Sequence, residues 1–184
     1  MAYRGLVMPV IARRVETEDG VSYTDGIVCG RAIKVEVNPV YEDVSDYDDI
    51  NETDEKKEFA YANITLNTGE LPPKAEENMF GHEVSEDSVI SKDTDLSEYV
   101  GFGFHVTGVF KGTRKYMAIW LHCVRFTEDS QEHNTKGSNP AYDTPVSAGV
   151  AVPEENGVWR TKKIFATKNE AVSWLKEMAG IKEE

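Results

Sequence analysis

Residues 101–126, GFGFHVTGVFKGTRKYMAIWLHCVRF, alternate in character on either side of a Lys111-Gly112 pair. Alternation flanking a two-residue, Gly-containing turn specifies a β-hairpin. With that turn, Phe102 faces Leu121, Phe104 faces Ile119 and Val106 faces Met117. Paired residues share a side of the ladder. One side then collects Phe102, Phe104, Val106, Met117, Ile119, Leu121 and Cys123, which is a core. The other collects His105, Thr107, Tyr116, Ala118, Trp120 and His122. A slip of one residue would mix these sets, so their segregation is itself an argument for the register. The second side is aromatic and polar, and two covers suit it. One is the chain's own C-terminal helix. The other is a neighbouring subunit, because Tyr and Trp are enriched at interfaces; on that reading Tyr116, Trp120 and His105 are the interface candidates.

Elsewhere the pattern is also mainly β. Residues 5–12 and 31–37 read as short strands, the second from the alternation of Ile33, Val35 and Val37 with Lys34 and Glu36. VETEDGVSYTDG between them has the composition of turns. Residues 38–57, NPVYEDVSDYDDINETDEKK, read as a long acidic excursion without regular structure, with Tyr41, Val44, Tyr47 and Ile50 spaced three apart. EFAYANITLN returns to strand, with Ala60, Ala62, Ile64 and Leu66 on one face. GELPPKAEENMFG predicts a short helix opened by Pro73 and closed by Gly81, and HEVSEDSVIS a small hairpin. Residues 141–152 and 158–165 are further strand candidates. A C-terminal helix over 167–179 begins at a Thr167/Glu170 capping box and presents Ala171, Trp174, Leu175 and Met178 on one face. Gly180 ends it, with Ile181 placed to pack back.

Composition bounds the function. The 184 residues suit a single domain. No apolar run is long enough to span a bilayer, and the N-terminus lacks the layout of a signal peptide, so folding in a cytoplasm is expected. Cys29 and Cys123 form no CxxC, and free thiols are expected of them. Lys+Arg number 20 against 33 Asp+Glu, a net charge of −13. Tight nucleic-acid binding rests on cations neutralising phosphates, and this balance argues against it.

Catalytic patterns fail on geometry. His122 and Cys123 are neighbours on a strand, so their side chains leave on opposite faces and cannot form a dyad. The histidines His82, His105, His122 and His133 show no ligand spacing. A calcium loop starting at Asp46 would put Ile50 at a ligand position, Asn51 where Gly is required and Lys57 where Glu is required. GFGF lies within a strand pattern and is a weak phosphate cradle. No enzymatic activity, cofactor or metal site is expected.

Taken in order, MAYRGLVMPVIA, GRAIKVEVNPVY, EFAYANITLNTGELPPKAEENMFGH, YVGFGFHVTGVFKGTRKYMAIWL, NTKGSNPAYDTPVSAGVAV and WRTKKIFATKNEAVSWLKEMAGI are spread along nearly the whole chain, to Ile181. In that order they resemble the major tail (tail tube) proteins of siphovirus-like, long-tailed bacteriophages of Gram-positive bacteria. The resemblance implies a β-sandwich or rolled-barrel subunit with a C-terminal α-helix. Such subunits form hexameric rings that stack into the tube conducting DNA, without specific DNA binding and without a membrane. It implies partners of its own kind, together with tape measure, tail terminator and distal tail proteins, and a place in the virion tail after assembly in the host cytoplasm. It also implies that residues 38–57 form an inter-ring stacking loop, with Tyr41, Val44, Tyr47 and Ile50 as contacts. The unusual acidity of that loop calls for basic partners such as Arg13, Arg14 or Lys34. Alternatives are the inner tube of a phage-derived injection device, or a monomeric β-sandwich binding a ligand such as a glycan on the His105, Tyr116, Trp120 face.

Overall fold

The central hairpin of the sequence is also the centre of the fold. In the computed structural model, which describes residues 3–18, 20–45, 55–86, 88–128 and 144–182, it consists of β7 (Tyr99–Phe110) and β8 (Thr113–Glu128). Phe102 faces Leu121, Phe104 faces Ile119 and Val106 faces Met117, as the alternation predicts. Lys111 and Gly112 both have positive φ, 47° and 78°. That combination suits the twist of a two-residue hairpin.

Around this pair the chain adds β1 (Tyr3–Thr17), β2 (Gly20–Val28), β3 (Ala32–Ser45), β4 (Glu55–Thr68), β9 (Val146–Ala151) and β10 (Arg160–Phe165). All join one eight-stranded antiparallel sheet in the order β2-β1-β7-β8-β9-β4-β3, with β10 pairing β8 off that path. β8 is the seam. Its residues 116–121 pair with β10 and its residues 124–128 with β9. The sheet curls there, and β1 comes back into contact with β3. The result is mainly β and has the character of a β-sandwich, with a C-terminal helix.

Two apolar clusters follow from the two faces of the hairpin. Ile11, Ile64, Leu66, Phe102, Phe104, Leu121, Val124 and Phe126 fill the space inside the curl. Helix α1 (Pro73–Phe80) contributes Ala75, Met79 and Phe80 to this cluster and ends at Gly81 in the left-handed region. On the outer side, helix α2 (Lys168–Met178) lays Ala171 and Leu175 against Val10, Ala12, Ala118 and Trp120. Both sides of the Thr167/Glu170 capping box are present. At its other end Gly180 N–H donates to Glu177 and Ile181 N–H to Lys176, the paired bonds of a Schellman turn. Ile181 then packs into the outer cluster. A small hairpin, β5 (Glu83–Ser85) with β6 (Ser88–Ile90), stands apart from the main sheet.

The structure corrects the sequence reading in two stretches. VETEDGVSYTDG is no string of turns: residues 20–28 form β2, paired with β1 from Val10–Val28 to Thr17–Gly20. Residues 38–57 are not an irregular excursion either. Residues 38–45 and 55–57 continue β3 and β4 as a paired ribbon, out to Ser45 opposite Glu55. Residues 46–54, which hold Tyr47 and Ile50, lie outside the described residues.

Candidate assembly surfaces

The aromatic face of the central hairpin is covered from within the chain. His105 and Trp120 are both 0% exposed, beneath α2 and beside β1, so neither can reach a second subunit. Of the candidates on this face, Tyr116 alone is only partly buried, its ring 6.5 Å from that of His105. The reason lies in the strand opposite. A Cβ at Gly103 would stand 2.5 Å from Trp120 Cε3 and 2.8 Å from Leu175 Cδ2, and one at Gly101 would stand 2.3 Å from Trp120 Cζ2. Glycine at both positions therefore lets the indole lie flat across β7, with Leu175 of α2 closing over it. GFGF is a seat for Trp120.

The same face carries a polar cluster that sequence reasoning missed. Tyr23 of β2 stands edge-on to Trp120 at 5.1 Å. Its hydroxyl donates to the His122 carbonyl at 2.9 Å and lies 3.3 Å from His122 Nδ1. Burial pushes the Tyr23 pKa up to about 12, so the phenol stays protonated as a donor. His122 Nε2 is 2.8 Å from Thr161 Oγ1, and burial pushes the imidazole pKa down. Burial raises the neighbouring Cys123 thiol, with Arg14 opposing. A thiol held protonated is a poor nucleophile. Cys29 and Cys123 are both free and buried. Among the described residues no group of His, Cys, Asp or Glu is arranged to hold a metal, and no helix is long and apolar enough to cross a membrane.

What remains open is the rim of the sheet. β2 pairs only with β1, β3 only with β4 and β10 only with β8 among the described residues. Each presents unpaired backbone donors and acceptors, a template for another chain. Val21 and Val28 on β2, Ile33 on β3 and Ile164 on β10 are exposed beside these edges. The edges are partly guarded. Pro39 removes a donor from β3, and Lys162 and Lys163 sit on β10. Among the described residues the β3 stretch before Pro39 is free to continue pairing, whereas on β2 the Asp25 carbonyl already accepts from Asn78 Nδ2 at 2.9 Å.

The ribbon formed by the outer parts of β3 and β4 is rooted by aromatic stacking. Phe59 lies flat on Trp159, centroids 4.2 Å apart and planes 7° from parallel, and Tyr41 meets Phe59 edge-on at 6.0 Å. The Arg160 guanidinium covers the other ring at 4.1 Å. Tyr41 remains 52% exposed and available for contact. Val44 stands opposite Lys56 in the ladder. The cations expected to serve the acidic stretch are engaged elsewhere: Arg13 with Glu77 at 3.8 Å, Arg14 with Glu16 and with Glu154 at 3.5 Å, and Lys34 with Glu36 at 2.7 Å. The ribbon instead supplies its own, Lys57 to Asp43 at 3.7 Å.

Set against models of known protein families, the chain matches none. A comparison with curated proteins likewise finds no match.

Proposed function

We propose that this chain is a structural subunit that assembles with copies of itself, in the manner of the phage tail-tube proteins its sequence resembles. The observation that supports the reading is the open rim: strand edges with exposed apolar side chains, unpaired among the described residues. Head-to-tail contacts that close into a ring would complete such edges with identical neighbours. Subunit interfaces of this obligate kind commonly bury roughly 2,000–5,000 Å². Rings stacked into a tube would multiply the net charge of −13 on each chain and keep DNA moving through without adhering. The subunit does no chemistry in this role. Tape measure, terminator and distal tail proteins are its further partners, and the virion tail is its destination.

Electron microscopy of the purified chain, with mass measurement, tests the reading. Rings or hollow rods are expected. A strict monomer across concentration would overturn it. An inner tube of a phage-derived injection device would use the same surfaces, and neighbouring genes distinguish the two. The glycan-binding alternative loses its platform, because Trp120 and His105 are wholly inside.

A further inference from the structure

In the half of the molecule covered by α2, charge differs between the two ends of the strands. The strand registers bring the Lys111-Gly112 turn, the end of β10 and the start of α2 to one end of the α2-covered half. That end carries Lys111, Arg114, Lys115 and Lys168. Among the described residues none of them forms an ion pair. The acid beside them, Glu170, is occupied by the Thr167 cap.

The opposite end is acidic. The β1–β2 turn and the residues leading into Tyr99 meet there, around a cleft of about 510 Å³ lined by Arg14, Glu16, Leu96, Ser97, Glu98, Tyr99 and Arg125. Among the described residues Glu18, Glu98 and Glu128 of this end have no Lys or Arg partner, whereas Arg14 is paired with Glu16 and Glu154 and Arg125 lies over the Tyr99 ring. Exposed apolar residues mark both ends as well. Val109 is 56% and Phe110 46% exposed beside the cations, and Leu96 is 78% exposed among the acids.

We infer that the basic end of one copy seats on the acidic end of the next, with Val109 and Phe110 against Leu96 and the charges around them. Opposite charge at opposite ends makes a heterologous contact, which leaves each new copy with a free end to extend. An apolar centre within a charged rim is the usual anatomy of a specific interface, and the rim charges fix its orientation. The contact is separate from the strand edges. It rests on the self-assembly reading only in taking a second copy as partner. The acidic β3–β4 ribbon belongs to the other half of the sheet and runs toward the basic end of its own chain.

Charge reversal tests the contact. Arg114→Glu with Lys168→Glu puts two carboxylates into the basic end, and Glu18→Lys with Glu98→Lys puts two cations into the acidic end. Each protein alone should need a concentration higher by about tenfold or more to assemble in sedimentation velocity. An equimolar mixture should assemble as the parent does, because every reversed end then meets a reversed partner. Circular dichroism checks that both fold. Arg114→Gln with Lys168→Gln, which removes charge without reversing it, should weaken assembly in the same direction if the harsher pair does not fold. A folded variant assembling at the parent's concentration, or a mixture that stays dissociated, overturns the inference and leaves self-assembly standing. Rescue of the Arg114/Lys168 protein by Glu42→Lys with Asp43→Lys would also overturn it, by giving the basic end to a neighbour's ribbon. Failure of the unaltered chain to assemble would sink the self-assembly reading as well.

Discussion

Trp120 shows how much a single residue depends on what its neighbours lack. Its indole occupies the volume that side chains at positions 101 and 103 would fill. Gly103→Ala should therefore displace it and cost roughly 1–3 kcal/mol of stability, the usual penalty for overfilling a core, read by chemical denaturation. His105 makes a second residue-scale case. It is 0% exposed and neither ring nitrogen has a partner. Burial, then the positive charge of Lys168, lowers its pKa; burial likewise lowers that of His122, against the opposing effect of Glu154. Lowered folded-state values mean that the unfolded chain binds protons first on acidification. Stability should hold above the unfolded value of about 6.5 and fall as pH drops below it, until the folded-state values are passed. Melting temperatures at pH 7.5 and 5.5 measure this. His105→Leu should reduce the dependence, and an unchanged one would show that His105 does not contribute.

At the scale of elements, legibility in the sequence tracked the contrast between the two faces of each strand. The β7–β8 register was readable because core and outer residues alternate cleanly around a Lys-Gly turn. α2 was readable from its cap and its apolar spacing. Thr167→Ala should cost about 1 kcal/mol, the typical worth of such a cap, measured by thermal or urea unfolding. β2 was not readable, since nearly all of GVSYTDGIV is exposed or only half-buried and its role at the edge needs no apolar stripe. The β3–β4 ribbon was hidden for two reasons. A bulge between Val40 and Tyr41 breaks the alternation, and a two-stranded ribbon with carboxylates along it has no buried face to advertise. The interface candidates Trp120 and His105 failed for a related reason. An aromatic-polar face looks the same in sequence whether a helix of the same chain or another molecule covers it. Replacing residues 42–58 by a short turn should leave a cooperatively folding protein, since the Ala62–Asn67 pairing with β9 lies beyond the cut. Assembly should be lost, as sedimentation velocity would show.

For the molecule as a whole, the excess of acid sets what it can touch. A group of cations gathers at one end, but 33 carboxylates against 20 basic groups surround it with repulsion for phosphate. Duplex DNA should migrate unretarded in gel-shift experiments even at low ionic strength, where any attraction would be strongest. A retarded band would contradict a passive conduit. The open strand edges and the segregated ends are properties of the whole that no single segment shows. They emerge once registers set which residues share an end.

The enclosure of Cys29 and Cys123 has a bearing on durability. On the proposed reading, a particle released from its host would leave a reducing milieu for air, where accessible thiolates cross-link neighbouring copies and turn an ordered lattice into a covalent tangle. Here both sulfurs are packed away, and burial holds each in its unreactive protonated form. Copies of this chain would stay joined by reversible contacts alone, able to dissociate and re-form after long exposure to oxygen.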